Sequence, residues 1–257
     1  MKPFDRSEYA RRIAQTKQRM ERAGFDLIIC QDPANMAWLT GYDGWSFYVP
    51  QAILVHQDED DPIWFGRAQD AKAAHYTTDL PGRNIVGFSE SLVHHRVQHP
   101  FDELAGLVKE RGWGQAKIGV ELDAHYYTAR CHDHLVRGLP EAQLSDCQEL
   151  VNWARLVKSD AELVWMREAG QICTESMNRA LAKMAPGVPQ YEVIAEVYHA
   201  QIMGVDGKFG HYTSLCPLIQ VGERTSTSHL TWTDEPLPSN ALVMMEIAGA
   251  RHPYHAP

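Results

Sequence analysis

Residues 155–162 read Arg155-Leu156-Val157-Lys158-Ser159-Asp160-Ala161-Glu162, and the pattern of the chain changes here. Ser159 and Glu162 have the spacing of a capping box, in which each side chain accepts the other residue's backbone N–H at a helix start. Apolar residues then recur at helical spacing to about Met184. The stretch therefore predicts the start of a long helix and a boundary between domains 1–157 and 158–257.

The residues before that boundary alternate between buried strands and amphipathic helices. Asp26–Cys30, Ala52–His56 and Lys117–Val120 are short apolar runs typical of strands. Residues 7–23 and 101–111 carry apolar residues at helical spacing. Alternation of this kind favours an α/β layered domain.

The residues after the boundary have a different order. Pro186-Gly187 breaks the long helix, and a second helix is expected from Gln190 to about Met203. Strand-like pieces follow at 218–221 and 242–247. Helices followed by strands predict an α+β arrangement for this part.

Composition excludes several classes of function. The chain has 257 residues, a net charge of -9 and 44% hydrophobic residues. The acidic balance disfavours binding to nucleic acid, which needs a basic surface. No apolar run approaches the roughly 20 residues of a membrane span, and the N-terminus lacks the apolar core of a secretory signal. Five scattered cysteines fit free thiols in a reducing cytosol, so we expect a cytoplasmic protein that does not bind a membrane.

An aromatic stretch between Asn35 and Tyr48 is the first candidate site. It contains Trp38, Trp45, Phe47 and Tyr48 among small residues. One interpretation is packing in the core or in a dimer interface. The other is a loop that presents aromatic rings to a small ligand.

Two polar features in the second domain are further candidates. The run Glu223–His229 follows an apolar strand, and hydroxyl residues surround His229, which suits a proton shuttle. Glu246 lies within the apolar run 242–247. A carboxylate that faces the interior there is a functional candidate, whereas one that faces solvent from an edge strand is not.

Histidines are frequent but do not form a convincing metal motif. His252 and His255 lie near the end of the sequence, and His94, His95, His125, His132 and His134 lie earlier. None has the spacing to acidic partners that a metal site requires. We therefore expect no metal and no other cofactor.

Several of these segments together resemble the creatinase/prolidase/methionine-aminopeptidase family, which has the pita-bread fold. The resemblance rests on the stretch from Arg155 to Glu162 with Met166-Arg167-x-Ala169 after it, on Pro186-Gly187-Val188 with Glu192, on His229, and on Leu242 to Gly249 with Tyr254. It implies a creatinase-like N-terminal α/β domain followed by part of a pita-bread catalytic domain. His229 falls where the family has its first active-site histidine.

Two positions depart from the metal-dependent members of that family. Those members have aspartates where this chain has Glu246 and Pro257. Proline offers no side-chain ligand, so the resemblance favours the creatinase-like, metal-independent hydrolases. Within that group, Asp32–Tyr48, Pro62–Arg67 and Thr225–His229 resemble the branch that opens the cyclic amidine of ectoine.

The resemblance also implies roles for individual residues. Glu246 is expected to be the nucleophile or general base, with His229 as the acid/base partner. Trp38, Trp45, Phe47 and Tyr48 are expected to hold the amidine ring, with Arg224 on the substrate carboxylate. A homodimer is implied, in which the aromatic stretch of one subunit acts at the site of the other.

Two other functions stay open. One is a metal-dependent Xaa-Pro aminopeptidase or dipeptidase. The other is a non-catalytic pita-bread module that binds partners. Compared with the family, the sequence ends within the catalytic domain, so we also expect this stretch alone to be inactive and prone to aggregate.

Overall fold

Short apolar segments form the strands of the first part of the chain, and amphipathic segments form its helices. The computed structural model describes residues 2–257, and the chain divides into two compact units after Val157. The first unit contains helices α1 (Arg6–Ala23), α2 (Pro33–Thr40), α3 (Ala71–Thr77), α4 (Pro100–Glu110), α5 (Ala129–Gly138) and α6 (Leu150–Ala154), and strands β1 (Leu27–Cys30), β2 (Ala52–His56), β3 (Ile63–Arg67), β4 (Ile85–Phe88), β5 (Lys117–Val120) and β6 (Gln143–Asp146).

These six strands form one mixed sheet in the order β4-β3-β2-β1-β5-β6. β2 runs antiparallel to β1 and β3, and the other neighbours are parallel. Leu27 and Ile29 of β1 point into one apolar core, and Ile28 and Cys30 point into a second core on the other face. Because both faces are covered, β1 is apolar throughout. The α/β prediction is confirmed.

The aromatic stretch differs from the expected loop at its N-terminal end. Residues Pro33–Thr40 form α2, because Asp32 Oδ1 accepts the backbone N–H of Asn35 at 3.0 Å and proline suits the first helical position. Gly41 ends the helix with φ of 80°. A side chain there would also overlap the Tyr9 hydroxyl, because a Cβ atom would lie 2.5 Å from it. Only the residues after Gly41 form an open segment.

A buried carboxylate joins the elements at the carboxyl end of β1. Glu121, which follows β5 and is 6% exposed, accepts the backbone N–H groups of Gln31 and Asp32 at 2.6 and 2.8 Å. It also accepts from Asn35 Nδ2 at 2.6 Å. Asn35 Oδ1 in turn accepts from Arg155 Nε at 2.7 Å. Burial raises the pKa of Glu121, and the three N–H donors oppose that rise.

The second unit is built on two helices. Its elements are α7 (Asp160–Lys183), α8 (Gln190–Met203), β7 (Leu218–Val221), β8 (Val243–Glu246), β9 (Gly249–Arg251) and β10 (Tyr254–Ala256). The predicted capping box is present: Ser159 Oγ accepts from Glu162 N at 3.3 Å, and Ser159 N donates to Glu162 Oε2 at 2.8 Å. None of the helices formed by residues 2–257 is long and apolar enough to cross a membrane.

Two short antiparallel pairs accompany these helices. β7 pairs with β8, and β9 with β10. Gly249 allows β9 to approach α7, because a Cβ atom there would lie 2.1 Å from the Ala169 carbonyl oxygen. The apolar core of this unit comprises Ala180, Val193, Ile194, Val197, Ile219, Val221, Leu237 and Ile247. The last strand pair contains the histidine-rich segment, which had no predicted structure.

We expect Glu121→Ala to destabilise the first unit by about 2–4 kcal/mol, because it leaves buried N–H groups without an acceptor. Glu121→Gln keeps one acceptor oxygen and is expected to lose less. Urea denaturation monitored by circular dichroism measures both. Glu110→Ala, at an exposed helix end, is the control and should change the free energy of unfolding by less than about 0.5 kcal/mol. Equal losses for Glu121→Ala and Glu110→Ala would contradict this role.

Candidate functional site

His229 and Glu246 lie on opposite sides of strand β7 in the second unit. On one side, Leu218 of β7 pairs with Glu246. On the other side, the carbonyl oxygen of Leu230, next to His229, accepts from the backbone N–H of Ile219 at 3.2 Å and from Gln220 Nε2 at 2.8 Å. Strand β7 itself therefore lies between the backbone of Glu246 and the segment that contains His229.

Both side chains are exposed. Glu246 lies at the end of β8, which pairs only with β7 among residues 2–257, and its carboxylate faces solvent. The sequence left two orientations open for the Glu246 side chain, toward the interior or toward solvent. In this structure it faces solvent. His229 adopts a positive φ of 63°, a conformation that is uncommon for residues other than glycine and typical of tight turns and functional loops.

The hydroxyl groups around His229 stabilise their own turn. Residues Gly222–Ser226 form a 3-10 helix. Thr225 Oγ1 donates to the Gly222 carbonyl at 2.8 Å, and Thr227 Oγ1 donates to that of Arg224 at 2.9 Å. Ser226 makes the equivalent bond to Glu223 at 2.8 Å. The turn thus shapes the backbone that leads to His229, and these hydroxyl protons are directed at carbonyl groups.

Arg224 is engaged by an acidic neighbour. Its Nη2 donates to Glu235 Oε1 at 2.8 Å. Arg224 borders an open hollow of about 480 Å³, which is lined by Glu223, Arg224, Thr227, Leu230, Thr231, Trp232 and Thr233. An incoming carboxylate would have to compete with Glu235 for the guanidinium group.

Three of the four predicted aromatic residues form one exposed cluster in the first unit. The Trp45 ring lies 4.8 Å from that of Phe47 and 6.2 Å from that of Tyr48, between centroids. Trp45 is 63% exposed and Tyr48 53% exposed. Phe47 also contacts Tyr126, with ring centroids 5.5 Å apart. We call Trp45, Phe47 and Tyr48 the aromatic cluster.

Trp38 does not belong to this cluster. It is 5% exposed, lies on α2 and packs in the core, with the Arg12 guanidinium 5.2 Å from its ring centroid. Its helical position turns the side chain inward. The aromatic stretch therefore contains both a core residue, Trp38, and exposed rings in the open segment after Gly41.

Polar residues contact or adjoin the aromatic cluster, and little in the sequence pointed to them. Arg67 donates to Tyr48 Oη at 3.1 Å through Nη1 and to Glu90 Oε2 at 2.6 Å through Nε. The Tyr42 and Ser46 hydroxyls lie 2.9 Å apart, and Ser46 donates to Gln51 Oε1 at 3.0 Å. One sequence feature could have indicated them. Residues 67–70 are mostly polar and follow an apolar strand, a position where functional residues concentrate.

Residues 2–257 include no group of three or more His, Cys, Asp or Glu side chains placed to hold a metal ion. His211 Nδ1 accepts the backbone N–H of His252 at 2.8 Å, and His255 Nε2 accepts that of Ser214 at 3.1 Å. Each of these two ring nitrogens therefore accepts a hydrogen bond from a backbone N–H group.

Comparison with family models divides the chain in two. Residues 12–157 match the creatinase/prolidase N-terminal domain. Residues 164–257 match metallopeptidase family M24.

Curated relatives include hydrolases of small molecules. The chain is 39% identical over 261 residues to the ectoine hydrolase of Halomonas elongata, covering 99% of this chain and 65% of the relative. It is 24% identical over 212 residues to the creatinase of a Bacillus species, covering 81% of this chain and 48% of that enzyme. The chain thus spans less than two thirds of the length of these relatives.

Solved prolidases share the fold. The prolidase of Thermococcus sibiricus superposes with a TM-score of 0.78 at 14% identity, over 96% of this chain and 63% of that one. The predicted creatinase-like domain followed by part of a pita-bread domain is confirmed.

The carboxylate of Asp70 is half-buried and lies next to Ser46. Burial raises its pKa, so the ionised form is disfavoured in the folded protein. We expect Asp70→Asn to raise the free energy of unfolding at pH 7 by about 0.5–1 kcal/mol, discounted for partial solvent access. The gain should fade as the pH falls below the ordinary pKa of aspartate, where both states are protonated. Denaturation at pH 7 and pH 3 measures it, and destabilisation at pH 7 would refute the prediction.

Proposed function

This chain belongs to the creatinase/prolidase family, and from that premise we propose that the full-length protein opens the cyclic amidine ring of ectoine to N-acetyl-diaminobutyrate. The observation that carries the proposal is the 39% identity to ectoine hydrolase over 99% of the chain. Creatinase, a more distant relative, is also named for a small nitrogen-containing substrate. The reaction adds one water molecule and breaks one ring C–N bond.

Glu246 supplies the carboxylate in the proposed reaction. The amidinium carbon is electrophilic and its charge is positive, so a carboxylate both pairs with it and activates a nucleophile. Glu246 either attacks the carbon itself or takes a proton from the attacking water. Its exposed position on β8 removes the burial argument for this role, which therefore rests on the family resemblance.

His229 acts as the acid/base partner. After attack, the tetrahedral carbon expels a ring nitrogen, which must be protonated to leave as an amine. His229 donates that proton. The exposed position of His229 after the turn Gly222–Ser226 leaves its ring accessible to a ligand.

The aromatic cluster holds the ring, and the protein acts as a homodimer. A cation over an aromatic face gains about 0.5–2 kcal/mol, and Trp45, Phe47 and Tyr48 offer such faces. Arg224 binds the substrate carboxylate after exchange with Glu235. In this proposal the aromatic cluster of one subunit serves the site of its partner. The buried position of Trp38 supports a packing role instead of ring binding.

We expect Glu246→Gln in the full-length protein to reduce the turnover of ectoine at least about 1000-fold with an unchanged fold, since an amide neither attacks nor accepts a proton. Chromatographic detection of the ring-opened product measures it. Asp206→Asn, an exposed acid in the same unit outside the candidate site, is the matched control and should retain activity. Near-normal turnover by Glu246→Gln would end the assignment.

The proposed enzyme works without a metal ion, so dialysis against a chelator should leave ectoine hydrolysis unchanged. The same preparation should not cleave Xaa-Pro dipeptides when manganese or cobalt is added. Metal-activated cleavage of those dipeptides would favour the aminopeptidase or dipeptidase alternative. Absence of both activities, with the fold intact, would favour a non-catalytic binding module.

A further inference from the structure

His99 caps helix α4 with an atom that can bind a proton. Its Nδ1 accepts the backbone N–H of Phe101 at 3.1 Å, and its own backbone N–H donates to Asp102 Oδ2 at 2.9 Å. Pro100 has no N–H, so the Phe101 group is the first donor that the helix presents. The residues usual at this position cap through an oxygen, whereas an imidazole nitrogen accepts only while it carries no proton.

Groups that disfavour a positive charge face the buried His99 ring. The His134 ring of α5 stacks on it, with centroids 4.9 Å apart and an interplanar angle of 25°. Arg130, also on α5, and the positive end of the α4 dipole act in the same direction. Asp102 opposes them, but its oxygens are engaged by His134 Nδ1, at 2.7 Å, and by the His99 backbone. A proton on the His99 ring therefore adds a charge that its surroundings disfavour.

Segment 93–98, which leads into His99, is held by a guanidinium group of α5. Arg130 Nη2 lies 3.0–3.2 Å from three carbonyl oxygens, those of His95, Arg96 and Gln98. The titratable ring of His95 is turned to its own segment, where Nδ1 accepts the backbone N–H groups of Val97 and Gln98 at 3.2 and 2.9 Å. Arg130 and His99 thus connect this segment to α5 and to α4.

The pKa of His99 sets the direction of the pH response. Burial, together with His134 and Arg130, lowers this pKa from its ordinary value of 6.5 to about 4. The cap is fully stable above pH 6.5, where neither the folded nor the open state binds the proton. As the pH falls from 6.5 to about 4, the open state takes up the proton before the folded state does, so the stability of the cap is lost.

We propose that His99 is an acid-sensitive helix cap, which releases segment 93–98 and the first turn of α4 when it takes up a proton from solvent. The proton binds to Nδ1, so an N–H group of the imidazolium then faces the Phe101 N–H and the hydrogen bond is lost. The stacked His134 ring and the helix dipole oppose the return of the charged ring. The device lies wholly within the first unit and does not depend on the proposed hydrolysis of ectoine.

Hydrogen exchange of the full-length protein, measured by mass spectrometry at about pH 7.5 and pH 5 and corrected for the intrinsic effect of pH, tests the cap. We expect the protection of peptides that cover residues 99–102 to fall about 10- to 30-fold between these pH values, as the lowered pKa of His99 requires. Peptides that cover β1, in the interior of the sheet, should change less than about threefold.

His99→Asn is the decisive variant, because an asparagine oxygen caps the helix but does not titrate. The protection of residues 99–102 should then differ less than about threefold between the two pH values. His75→Asn, which replaces an exposed histidine of α3, is the matched control and should behave like the unmodified protein. A tenfold fall that persists in His99→Asn, or no fall in the unmodified protein, would overturn the proposal.

Nuclear magnetic resonance of the histidine rings tests the cap without relying on the fold of a variant. In the full-length protein labelled with 15N-histidine, Nδ1 of His99 should resonate as an unprotonated acceptor at neutral pH and titrate with a pKa near 4. A ring protonated at Nδ1 at neutral pH, or a pKa near the ordinary value of 6.5, would contradict the proposal.

Discussion

The first unit depends on a single buried carboxylate, because Glu121 satisfies backbone groups that have no other acceptor. The N–H groups of Gln31 and Asp32 lie where β1 ends and α2 begins, and both point at Glu121. The bond from Asn35 extends the network to Arg155, just before the second unit. The Glu121 side chain thus fixes the end of β1 and the start of α2. Through Asn35 it also connects them to Arg155, which follows α6.

The sequence predicted those features that neighbouring residues determine. The capping box of Ser159 and Glu162, the apolar strands and the α/β alternation depend on spacings of a few residues. The role of Glu121 was not predictable, because its partners lie about 90 positions away in the chain. Likewise, α2 was missed because aromatic content hid a helix start that Asp32 and Pro33 determine.

Prediction of the candidate site had the same limit. Residue type and resemblance made His229, Glu246 and the aromatic residues candidates, but they did not indicate which partners each side chain has. The pairing of Arg224 with Glu235 and the burial of Trp38 both come from packing.

The distance along the chain between Gln31 and Glu121 also has a consequence during synthesis. Ribosomes add about 5–20 residues per second, so the start of α2 leaves the ribosome roughly 5–20 s before its acceptor exists. Through that interval the hydrophobic strand β1 lacks β5, its parallel neighbour. Parallel pairing across such a separation is slow. In that stage β1 can already pair with β2, while its other edge stays unpaired until β5 emerges.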